Sequence, residues 1–101
     1  MMYIMYGYTE LYHPNSSSLK EKRMTIQSIT ARMRKRFNVS MREVGHQELW
    51  QRSALGFSAV SGNYSDLDLI IEAVKDTLNT HNDDFAVTSF ESRIIDWDSS
   101  N

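Results

Sequence analysis

The stretch FNVSMREVGHQELWQRSALGFSAVSG, Phe37 to Gly62, decides the fold, because it holds two strands in direct succession. Its first part, FNVSMREVG, alternates Val39, Met41 and Glu43 against Ser40, Arg42 and Val44, the period of two expected of a strand with one wet face. Its last part, ALGFSAVSG, is a short run of small, aromatic and β-branched residues with few charges, as suits a central buried strand. The connection from Gly45 to Arg52 is too long for a two-residue hairpin turn.

Working outward, each flank of this double strand reads as a helix. Upstream, Ser18 with Glu21 three residues later forms a capping box, the hydroxyl and the carboxylate each satisfying a free N–H, so a helix starts at Leu19. Leu19, Ile26, Ile29, Met33 and Phe37 share one stripe of it, and Lys20, Arg32, Arg34 and Lys35 point off that stripe as it ends near Arg36. Downstream, Leu67, Ile70, Ile71, Val74 and Leu78 keep helical spacing, with Asp68, Glu72 and Asp76 on the outer face. MYIMYGYTELY, Met2 to Tyr12, and FAVTSFESRIIDW, Phe85 to Trp97, read as the first and last strands.

The order is β-α-β-β-α-β. For one short chain the compact solution is an α+β, ferredoxin-like fold: a four-stranded antiparallel sheet, first and third strands central, with both helices on one face. Residues 1–97 are expected to form that single domain and 98–101 a short polar tail. A length of 101 residues leaves no room for a second core. No cysteine is present, so disulfides, thiolate metal sites and cysteine nucleophiles drop out, and a cytoplasmic location is the expectation. The opening MMYIMYGY is too short to span a bilayer, so no membrane partner is expected.

The net charge of -2 conceals a segregation. Ser18 to Arg52 carries nine Lys or Arg against three acids, whereas Ser65 to Asn101 carries nine acids against Lys75 and Arg93. Charge divided in this way steers an anionic partner to one surface.

Three segments together, SLKEKRMTIQSI, RFNVS and HQELWQR, resemble the YlxP-like family of small bacterial proteins, a domain of unknown function. The resemblance is specific from about Ser18 to Ser61 and looser at both ends. It departs at two positions, since typical members carry Asp where this chain has Gly45 and Glu48. The resemblance implies the same ferredoxin-like fold. Through gene neighbourhood alone, it also implies an association with translation and ribosome assembly, but no activity.

Two candidate sites follow. The first is the basic helix: Ser18, Lys20, Lys22 and Arg23 at an N-terminus whose free N–H groups and dipole favour anions, continued by Arg32, Arg34, Lys35 and Arg36. These eight residues are the phosphate or RNA candidates. The second is the loop His46, Gln47, Glu48, Trp50, Gln51 and Arg52. In its bland reading His46 and Gln47 bond loop backbone, Trp50 is a mostly buried anchor at the core edge, and Arg52 pairs with Glu48 or Glu43. In its sharper reading the loop binds a small molecule or supplies an acid-base histidine.

No metal site and no cofactor are expected, because His13, His46 and His81 lack ligand spacing and no phosphate-binding or nucleophile motif occurs. Tyr6, Tyr8 and Tyr12 share one side of the first strand and Phe57 lies on the third. Aromatics on an open sheet suit either base stacking or a homodimer. The leading expectation is a non-enzymatic protein binding RNA or a ribosomal particle through the basic helix, in ribosome maturation or translation. The alternatives are the loop as a small-molecule or enzymatic site, and a protein-interaction module.

Overall fold

The computed structural model of the chain describes residues 1–81 and 83–98. Its elements are β1 (Met2–Tyr12), α1 (Leu19–Arg36), β2 (Ser40–Gly45), β3 (Arg52–Ser61), α2 (Tyr64–Thr80) and β4 (Ala86–Trp97). The four strands form one antiparallel sheet in the order β2-β3-β1-β4, which is the ferredoxin-like arrangement with β3 and β1 in the middle. Of the tail expected over 98–101, residues 99–101 lie outside the described residues.

Period-two burial divides the sheet into two unlike faces. Met5 and Leu11 of β1, Met41 of β2, and Leu55 and Phe57 of β3 turn toward the helices and are almost wholly buried. They meet Ile26, Ile29 and Met33 of α1 and Leu67, Ile71, Val74 and Leu78 of α2 in one continuous core. Each such side chain contributes about 1.5 to 3 kcal/mol by leaving water. Tyr6, Tyr8 and Tyr12 face the other way and are exposed. Phe57, considered in sequence beside these tyrosines, is on the helix side instead. Its register partner Gly7 explains the fit, because a Cβ there would stand 2.0 Å from Phe57 Cζ, so only glycine admits the ring.

α1 begins as expected, with Ser18 Oγ accepting from the Glu21 N–H at 3.1 Å. The reciprocal half of the box differs, since the Glu21 carboxylate accepts from Ser17, from its N–H at 2.9 Å and its hydroxyl at 2.9 Å. Those bonds, the backbone one first, hold the Glu21 carboxyl below its ordinary pKa. β2 starts at Ser40, one residue after the alternation begins at Val39. Phe37 still donates its N–H to the Met33 carbonyl, closing α1, and Val39 bonds back to Phe37.

Candidate functional site

Lys22 organises the loop between β2 and β3. It stands one turn before Ile26 on the inward stripe of α1 and is fully buried. Its ammonium donates to the carbonyls of His46 (2.8 Å), Arg52 (3.1 Å) and Gln47 (3.4 Å), and lies 2.8 Å from Glu43 Oε2. Both ends of the polar loop are therefore tied to α1 through one cation. An uncompensated charge at such depth would be too costly, and here three carbonyl dipoles and a carboxylate surround it. Lys22 is thus corrected from a phosphate candidate to a structural clamp. The spacing 22, 26, 29, 33 carried that signal, and the positive charge obscured it.

The loop side chains also find other partners than those expected. His46 has φ 57, a left-handed conformation uncommon outside glycine, which carries its ring to Glu10, with Nε2 2.7 Å from Glu10 Oε1. Arg52 Nη2 reaches the same oxygen at 3.4 Å, rather than Glu48 or Glu43, because the Glu43 carboxylate faces Lys22. Glu10 was missed in the sequence. It belongs to the same outward row of β1 as Tyr8 and Tyr12, and the pairing of Tyr12 with Arg52 brings it to the loop. The Gln47 side chain donates from Nε2 to the Glu43 carbonyl at 3.5 Å, and Gln51 accepts at its carbonyl from the His13 N–H. Trp50 is 50% exposed, and Glu48 also faces solvent. The loop needs no aromatic anchor because Lys22 holds its backbone.

Beneath the loop, His13 is buried with Nε2 2.8 Å from Ser53 Oγ and its ring against Phe85. Burial first and the Lys22 ammonium second push its pKa down, and Asp84 opposes them.

Apart from Lys22, the six candidate cations of α1 are all exposed, and among the described residues none belongs to an ion pair. Their surroundings differ along the helix. Near the N-terminus, a hollow of about 140 Å³ is lined by His13, Ser16, Glu21, Thr25, Asp83 and Asp84, so carboxylates crowd the end where the sequence favoured an anion. Ser18 has its hydroxyl engaged in the cap. At the far end, Arg34, Lys35 and Arg36 line a hollow of about 470 Å³ with Phe37, Asn38 and Val39, and Arg36 lies over the Phe37 ring at 5.2 Å.

The model of a protein family described as "Protein of unknown function (DUF503)" matches residues 4–92. The chain belongs to the DUF503 family. A curated relative, "Uncharacterized protein YlxP" of Bacillus subtilis (strain 168), is 45% identical over 49 residues, which is 48% of this chain and 53% of the relative. The match thus spans about half the length of that relative, and it bears out the YlxP-like resemblance read from the sequence.

Solved structures share the fold at low identity. A de novo designed protein, Foldit4, superposes with a TM-score of 0.62 at 9% identity, over 97% of this chain and all of that one. A C-terminal segment of the α subunit of aIF2 from Pyrococcus abyssi gives 0.55 at 11% identity, over 97% of this chain and 52% of that one. At such identities the likeness speaks for architecture alone. Among the described residues of this DUF503 chain, no helix is long and apolar enough to cross a membrane.

Proposed function

We propose that this DUF503 protein binds RNA, as such or within a ribosomal particle, through the outer face of α1. The observation that carries the reading is the row Lys20, Arg23, Arg32, Arg34, Lys35 and Arg36, exposed and outside any ion pair among the described residues. Cations held in carboxylate pairs are partly neutralised, whereas unpaired ones offer their full charge to phosphate. The hollow lined by Arg34, Lys35 and Arg36 gathers three of these cations within one patch of that face. The contact is to backbone and so independent of base identity. Fluorescence anisotropy with a labelled single-stranded RNA tests it: log Kd against log salt should have a slope near 0.7 per phosphate contact. A flat line removes the reading.

A second reading rests on Glu10, His46 and Arg52, gathered on the open side of the sheet beside Tyr12. A histidine oriented by a carboxylate is a unit that acid-base chemistry uses, and Arg52 beside it suits an anionic small molecule. Loss of ligand binding in Glu10→Gln, with RNA affinity unchanged, would favour this site over α1.

A further inference from the structure

We propose that β4 is the pairing edge for a second copy of this chain, with the two β4 strands antiparallel about a two-fold axis at Ser92. Four observations carry it. First, the two sheet edges are unequal. Each edge strand carries one bulge, but β2 has only six residues, whereas β4 has twelve, runs unbroken from Ser89 to Trp97, and has Val87, Ile95 and Trp97 exposed.

Second, the edge is unroofed on both sides. A groove of about 630 Å³ runs along it past Tyr6, Tyr8 and Arg93, and another of about 380 Å³ lies between α2 and β4, lined by Leu78, Val87 and Phe90. A strand laid beside β4 sends alternate side chains into the two grooves.

Third, charge selects the occupant and the register. Glu91 and Arg93 stand opposite Tyr8 and Tyr6 on the open face, and neither has an ion-pair partner among the described residues. With Ser92 on the axis, Glu91 faces the partner's Arg93 and Arg93 faces the partner's Glu91. An axis moved by one residue either way sets Glu91 against Glu91 or Arg93 against Arg93, and like charges directly opposite are unfavourable. Fourth, the same register sets Phe90 against the partner's Ile94 on the helix side, where both are partly buried. A two-fold interface demands self-complementarity of this kind. The interface leaves α1 untouched, because α1 packs over β2 and α2 packs over β4.

The test is the mass of the unmodified chain by light scattering after size exclusion, with the dimer dissociation constant from dilution, for the natural sequence, R93E and E91R/R93E. The expected result is twice the 11.7 kDa chain mass for the natural protein, at least about tenfold weaker association for R93E, and recovery in the double swap. Both side chains are exposed, so the variants keep the fold. A monomer at every concentration overturns the proposal. So does a dimer that R93E leaves unaffected, or one that the double swap fails to restore. Because α1 takes no part, loss of RNA binding and loss of the dimer are separate outcomes.

Discussion

The two helices lie on the same face of the same sheet and are nearly equal in length, yet they spend their surfaces differently. α2 turns Leu67, Ile70, Ile71, Val74 and Leu78 inward and sets Asp66, Asp68, Glu72 and Asp76 outside, with no cation in its last turn. α1 has a shorter apolar row, interrupted by a buried lysine, and ends in Arg34, Lys35 and Arg36. Packing explains the inward row of α2. On α1 it explains Ile26, Ile29 and Met33, whereas Lys22 is explained by the loop it holds, and the six outward cations enter no ion pair among the described residues. That excess is what directs the functional reading to α1.

The two helices differ most at Lys22. Lys22→Met removes the cation and leaves the Glu43 carboxylate and three loop carbonyls facing an apolar side chain. The expected loss is about 3 to 5 kcal/mol, measured as a urea midpoint. The corresponding polar residue of α2, Thr77, donates its hydroxyl to the Met33 sulfur at 3.4 Å, a weak acceptor, so Thr77→Val should cost under about 1 kcal/mol. Equal losses at the two positions would mean that the lysine is no clamp.

A smaller effect is expected at His13, between the cation of α1 and Asp84 beyond α2. Its pKa is lowered by folding, so the unfolded chain binds the proton more readily. The contribution of neutral His13 is complete above the unfolded value near 6.5 and is lost as pH falls below it toward the folded value. The melting temperature should therefore fall between about pH 7.5 and pH 5.5, and His13→Gln should flatten that fall. A slope unchanged by the substitution would assign the acid sensitivity to other groups.

The smallest expected effect is at Trp50. Half exposed, on a loop whose backbone is fixed by Lys22, it should cost about 1 kcal/mol or less as Trp50→Ala. A loss of several kcal/mol would restore the ring as the anchor.

These positions also show what the sequence could tell. The bounds of α1 were legible because Ser18 and the apolar period act locally, and the β-α-β-β-α-β order followed from two strands in succession. The outward Tyr6, Tyr8 and Tyr12 followed from parity. The fate of Lys22 was not read, because its carbonyl partners lie 24 to 30 residues away, along a loop whose path only the folded chain defines. Glu10, His46 and Arg52 meet for a similar reason, across 36 and 42 residues, through the register of β1 on β3. Trp50 misled because size suggested burial, when the loop backbone already had a stronger tether.

The proposal assigns the nucleic-acid surface to α1 and not to α2. The most direct measurement is the affinity for a labelled single-stranded RNA across a salt series, for the natural chain, for Arg32, Arg34 and Lys35 all changed to Glu, and for Asp68, Glu72 and Asp76 all changed to Lys. All six residues are exposed, so both triple variants should keep the fold. The expected result is salt-dependent binding by the natural chain, loss of that binding in the α1 variant, and affinity at least as high in the α2 variant. Binding that ignores salt and is the same in all three proteins would contradict the account.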